Sequence, residues 1–319
     1  MTSPILCFDQ LDLRYASSSV QGRRPYNEDR AYSVHPLIGT QLSDRSTSFF
    51  AVYDGHGGED CAEWCSRQLH NHITRSPDYH RVGSKHLAIE QGFFSCDEEL
   101  LVKHAEKEAE SGTTCSCVLI DHSFIYSGNC GDTRNILCRG GEAIVLTRDH
   151  KPTDSEEQTR IESAGAKVTI HQPPPPKNGT LRRGPIPIQA YVELGDAGLA
   201  VSRAFGDRSF KLNKEKSSTE QVIVCSPHLT ITERKDNDEF ILLASDGLWN
   251  FLPQEKIIEF VRSRLNSSIA SERDLEDIVN KLTQLALDKK SNDNVTVTLI
   301  AFNQNKNQEE TKNESEKTN

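Results

Sequence analysis

Residues 49–58 read FFAVYDGHGG. The run Phe49–Tyr53 is aromatic and β-branched apart from one alanine, the composition of a buried strand. It passes straight into Asp54, then Gly55, His56, Gly57 and Gly58. A turn needs one glycine, or two. Three of them around an acid and an imidazole mean that something comes close to the backbone there.

Asp54 has counterparts. FILLASDGLW places Asp246 and Gly247 at the end of another apolar run, and SNDNVTVTLIAF places Asp293 just before the last one. RRPYNEDR carries Glu28 and Asp29, and GNCGDTR carries Asp132 between two short strands. Carboxylates are depleted in strands and costly to bury unpaired. Several beside glycines suggest convergence, and convergent carboxylates repel unless a cation sits among them. Oxygen donors without Cys or His select Mg²⁺ or Mn²⁺ over zinc. Two such ions about 3.5–4 Å apart can share a water, acidify it and hold a phosphoryl group. The Gly55 carbonyl can reach a metal because no side chain intervenes. Arg24 can grip two phosphate oxygens, and His56 can protonate a leaving alkoxide. Taken singly, Arg24 also reads as a surface charge and His56 as a turn residue.

Strands are expected at 48–53, 115–120, 123–127, 134–138, 143–146, 222–225, 239–244 and 295–302. Helices are expected at 59–75, 85–108, 154–164, 253–265 and 272–289. In the last, Leu275, Ile278, Val279, Leu282, Leu285 and Ala286 repeat at three- and four-residue spacing. Asp154 precedes Glu157 by three residues, as in a capping pair. Strands and helices come in blocks rather than in alternation. The expected class is therefore α+β, with antiparallel sheets covered by helices.

The chain has 319 residues, 35% of them hydrophobic, and a formal net charge of −10. An acidic balance argues against a general nucleic-acid binder. No apolar run approaches the ~18 residues of a membrane span, and the first residues do not read as a secretory signal. Nine cysteines without paired C-x-x-C motifs argue against structural zinc and for reduced thiols in the cytoplasm or nucleus. Cys61–Arg67 matches C-x5-R but lacks the glycines of a phosphate cradle, so Cys61 is expected to be packed. Residues 171–189 carry six prolines with Lys177, Arg182 and Arg183 and are expected to form an exposed, extended loop. Residues 303–319 lack any apolar anchor and are expected to be disordered.

Eight stretches occur together in one order: QGRRPYNEDR, FFAVYDGHGG, SGTTCSCVLI, YSGNCGDTRNIL, LTRDHKPTDSEEQTRIESAGAKV, GLAVSRAFGD, FILLASDGLWN and SNDNVTVTLI. In these the chain resembles the metal-dependent protein serine/threonine phosphatases, the PPM or type 2C class. The resemblance implies a sandwich of two largely antiparallel β-sheets flanked by helices on both sides (αββα). It implies a domain over residues 20–302, with residues 1–19 an extension and about 171–198 a proline-rich flap beside the site. It implies two Mg²⁺ or Mn²⁺ ions per site, and attack on phosphoserine or phosphothreonine by a water or hydroxide bridging them.

By resemblance, Asp54 bridges both ions and the Gly55 carbonyl binds one. Asp246 and Asp293 bind the other, and Asp29 holds metal-bound water. Arg24 binds phosphate and His56 is the general acid. Glu28, Thr114, Asp132 and Asn294 are expected to support the centre. In Asp246-Gly247-Leu248-Trp249-Asn250, Asn250 stands where the family has an acid, which puts in doubt a third, weaker metal near Asp132. The expected partners are phosphoserine and phosphothreonine proteins, acted on by a monomer. The alternative is a catalytically inert adaptor on the same fold, which would be expected to lose the carboxylates or the arginine that are all present here.

Overall fold

The computed structural model describes residues 11–37, 47–81, 83–171, 189–265 and 271–302. Two five-stranded antiparallel sheets face one another. One runs β1 (Leu13–Val20), β16 (Val295–Phe302), β15 (Asp238–Ala244), β8 (Arg134–Arg139), β9 (Glu142–Val145). The other runs β14 (His228–Glu233), β7 (Phe124–Cys130), β6 (Cys115–Ile120), β3 (Ser48–Tyr53), β2 (Arg30–Val34). Two small sheets complete the set. They are β10 (Lys167–His171), β11 (Gln189–Leu194), β12 (Ala197–Leu199), and β13 (Phe205–Gly206), β5 (Gly112–Thr113), β4 (Gly55–His56). The helices are α1 (Asp60–Arg75), α2 (Lys85–Lys107), α3 (Ser155–Ser163), the short α4 (Asp246–Trp249), α5 (Gln254–Arg262) and α6 (Glu272–Asp288).

Strand alternation builds three layers of core. Phe50 and Val52 of β3 point between the sheets, where they meet Leu137, Ile241, Leu243 and Ile300. Phe49, Ala51 and Tyr53 point the other way, against Leu69 and Ile73 of α1 and Ile89 and Phe93 of α2. In β15, Phe240, Leu242 and Ala244 pack on Leu275, Val279 and Leu282 of α6, while Ile241 and Leu243 face the opposite sheet. Burial on both faces is why these strands read as unbroken apolar runs. The order helices, sheet, sheet, helices is the expected αββα sandwich.

Three expectations change. β1 is an edge strand paired with β16 from Leu13↔Phe302 to Val20↔Val295, so the sheet begins within the stretch expected to precede the domain. Residues 222–225 form no strand. Val222 and Ile223 are buried in one cluster with Ile161 and Phe210, Val224 is also buried, and the segment makes one isolated bridge, Arg203↔Val224. Packing, not a ladder, accounts for that apolar run. Asp154 makes no side-chain cap: its Oδ2 accepts from the Lys151 N–H, and the Glu157 side chain is bonded to Arg160 and Arg203. The true capping box is Ser271 with Asp274, at the start of α6. The segments Pro173–Pro176 with Lys177, Arg182 and Arg183, and 303–319, lie outside the described residues.

Candidate active site

β3 ends at Tyr53 and delivers Asp54 to the edge of the sandwich, where the Thr114 N–H donates to the Asp54 carbonyl at 2.9 Å. Gly55 is needed for a reason the sequence did not show. A Cβ there would lie 2.4 Å from the Glu28 carbonyl oxygen, so the 21–29 segment crosses directly over it. Gly57 and Gly58 have φ of 68° and 124°, open to glycine and rare for other residues. That turn lets the Gly58 N–H reach Glu28 Oε1 at 2.6 Å.

Asn294 ties the same segment to β16. Its Nδ2 donates to the carbonyls of Gln21 (2.7 Å) and Tyr26 (2.9 Å), and its Oδ1 accepts from the Glu28 N–H at 3.0 Å. Arg24 Nη2 then lies 2.8 Å from Asp293 Oδ2. Asp246 opens α4. A Cβ on the next residue, Gly247, would sit 2.1 Å from the Asn294 carbonyl, so the two acid-bearing turns are in backbone contact. Asn250 Nδ2 donates to Asp246 Oδ2 at 2.9 Å. Asp132 is paired with Lys151, and the hydroxyls of Thr114 and Thr133 meet at 2.5 Å.

The acids act on one another. Burial, then the charges of Asp29, Asp246, Asp132 and Asp293, hold the Asp54 carboxyl well above the usual range. Asp246 is pushed up to about 7 by burial and by Asp132 and Asp293, with Lys151 opposing. Asp29 is pushed up to about 6 by burial and by Asp293, against hydrogen bonds from Thr296 and Ser245. Its Oδ2 accepts from Ser245 Oγ at 2.9 Å, while its buried Oδ1 has no partner. Among the described residues, no three Asp, Glu, His or Cys side chains already stand as a closed cation cage. An orphaned carboxylate oxygen within a set of mutually repelling oxygen donors nevertheless fits a hard divalent cation.

His56 lies at the rim. Its Nε2 is 2.9 Å from both carboxylate oxygens of Asp207. Burial would lower its pKa, but Asp207, with Glu28 and Asp132, raises it. Asp207 and Lys151 were not singled out from the sequence, although both stand in quoted motifs, GLAVSRAFGD and LTRDHKPTD. Cys61 is fully buried and its thiol is pushed up by burial. Arg67 pairs with Glu63, so the C-x5-R match has no exposed thiol.

The protein phosphatase 2C family model matches residues 13–295. The chain is similar to protein phosphatase 1A of Homo sapiens, 38% identical over 299 residues, spanning 91% of this chain and 71% of that one. It is also similar to protein phosphatase 1B of Rattus norvegicus, 36% identical over 303 residues, spanning 91% and 70%. Among solved structures, serine-threonine phosphatase 2C from Toxoplasma gondii matches with a TM-score of 0.74 at 19% identity, over 92% of this chain and 96% of that one. That likeness is one of fold.

Proposed function

Because the chain belongs to the protein phosphatase 2C family, we propose that it hydrolyses phosphoserine and phosphothreonine on proteins. The observation that carries the reading is the gathering of carboxylates in which burial and the charges of Asp29, Asp246, Asp132 and Asp293 hold Asp54 well above the usual range, with Arg24 bonded to Asp293. Asp29, Asp54, Asp246, Asp293 and the Gly55 carbonyl would hold two Mg²⁺ or Mn²⁺ ions. When bound, these would offset the repulsion, acidify a water and polarise the phosphoryl group.

The chain's own groups do the rest. Arg24, half-exposed and singly bonded to Asp293, has further N–H groups to offer phosphate oxygens. His56 supplies the proton for the leaving oxygen. Glu28, Thr114 and Asn294 hold the backbone of the acid-bearing segments. Lys151 pairs with Asp132, and the Asn250 amide donates to Asp246. The retained acids and arginine set the adaptor reading behind the enzyme.

The cytoplasm or nucleus fits the eight cysteines among the described residues, all buried and unpaired. Among the described residues no helix is long and apolar enough to cross a membrane. A monomer remains the working assembly.

The test is phosphate release from a phosphothreonine peptide with Mg²⁺ or Mn²⁺, with EDTA, and with Asp246→Asn as a control. Metal-dependent release lost in the variant supports the reading. No release from folded protein under any metal condition sinks it in favour of the adaptor.

A further inference from the structure

We propose that Asp207 is a positioning residue for His56. It holds the imidazole by Nε2 and leaves Nδ1 to handle the proton of the departing serine or threonine oxygen. The inference rests on the phosphatase reading above. In the step it serves, a water oxygen bonds phosphorus as the ester P–O bond breaks. The departing oxygen takes the Nδ1 proton and the water's proton replaces it, giving an alcohol and inorganic phosphate.

The contact is built by the smallest sheet. Gly206 of β13 pairs with Gly112 of β5, and Gly112 pairs with His56 of β4. The three lie in one row, and Asp207 follows Gly206. The carboxylate therefore reaches the imidazole across the middle strand, at the one residue with no side chain. A Cβ on Gly112 would lie 2.3 Å from Asp207 Oδ2 and 2.4 Å from His56 Nε2. Any other residue at 112 would force the two apart.

Asp207 is itself held from three sides. Its backbone is left-handed, with φ of 49°, and its N–H donates to the Ser111 carbonyl at 3.2 Å while its carbonyl accepts from the Phe210 N–H at 3.0 Å. The preceding Gly206 N–H donates to Asp97 Oδ1 at 2.8 Å. Asp97 Oδ2 in turn takes a hydrogen bond from Lys211 Nζ at 2.7 Å, and the same ammonium donates to the Ala204 carbonyl at 2.8 Å. Both members of this ion pair are over nine-tenths buried. Desolvation makes such a pair a poor source of stability. Here it fixes both ends of the 204–211 segment from α2. The Asp207 side chain is also buried, so it does not reach solvent phosphate; its reach is to His56.

Asp207→Asn tests the inference, because asparagine tolerates the left-handed conformation and keeps one acceptor while losing the charge. On a phosphothreonine peptide, kcat should fall roughly 10- to 100-fold. The loss on p-nitrophenyl phosphate, whose phenolate leaves without a proton, should be several-fold smaller. In a His56→Ala background the same substitution should add almost nothing, since residues acting as a unit are not additive. Gly112→Ala, which keeps both side chains but wedges them apart, should show the same split. Equal losses on both substrates, or a full further loss on top of His56→Ala, would overturn the inference while leaving the phosphatase reading intact. No turnover of either substrate by the unaltered protein would overturn both.

Discussion

Arg24 Nη2 lies 2.8 Å from Asp293 Oδ2. The side chain expected to grip phosphate is thus bonded to a side chain expected to hold a cation, and each limits the freedom of the other. Arg24→Ala should lower kcat/KM on a phosphopeptide about 100-fold, the scale for a clamp on a transferring phosphoryl group. It should also tighten Mn²⁺ binding measured by calorimetry, because Asp293 loses a competing cation. Unchanged metal affinity would show that the pair does not persist in solution.

Asp54 sits where burial and four other acids oppose its charge. Asp54→Asn should abolish Mg²⁺- or Mn²⁺-dependent phosphate release. It should not lower the melting temperature in EDTA, since the neutral amide removes a repelled charge. Wild-type protein at 100 times its metal Kd should gain about 2.7 kcal/mol over its EDTA form, and the variant much less. A variant that keeps both activity and the metal-dependent gain would remove Asp54 from the centre.

Asn294 joins residues far apart in the chain through three hydrogen bonds to the 21–28 backbone. Asn294→Ala should cost on the order of 1–2 kcal/mol, the loss of hydrogen bonds to part-buried backbone groups. It should also speed amide hydrogen exchange at Glu28 more than in β6. Uniform exchange changes would mean that the segment is held by other contacts.

Glu157 gives the pH dependence a sign. Burial would raise its pKa, but hydrogen bonds and charge from Arg203, then Arg160, take it down to about 2. The folded protein therefore holds fewer protons than the unfolded chain between about pH 4.5 and 2, so this contribution is complete above pH 4.5 and lost on acidification through that window. Arg160 is pulled down by its own burial and by Arg203, which discounts the gain to about 2 kcal/mol. Glu157→Gln should flatten the stability curve between pH 4.5 and 2. A curve of unchanged slope there would assign the acid limb to other groups.

What could be read in advance followed burial. β3 and β15 are covered on both faces, so Phe49–Tyr53 and Phe240–Ala244 read as apolar runs and the acids that follow them, Asp54 and Asp246, stand out. β1 was missed because it is an edge strand of sequence LRYASSSV. Its pairing is helped by hydroxyls, Ser17 to Thr298 at 2.9 Å and Ser19 to Thr296 at 2.7 Å, and hydroxyls leave no apolar period. Residues 222–225 misled in the opposite sense, because an apolar run reports burial and not hydrogen bonding.

By itself the sequence determined the chemistry on offer: oxygen donors next to glycines, one arginine and one imidazole near them, and apolar runs enough for two sheets and their helices. These are local properties, set by residue type and spacing. Tertiary structure decided which of them meet. His56 finds Asp207 across 151 positions, and Asn294 finds the Glu28 backbone across 266. Both contacts depend on the register of paired strands and on where a glycine leaves room, and no short stretch of the chain encodes either.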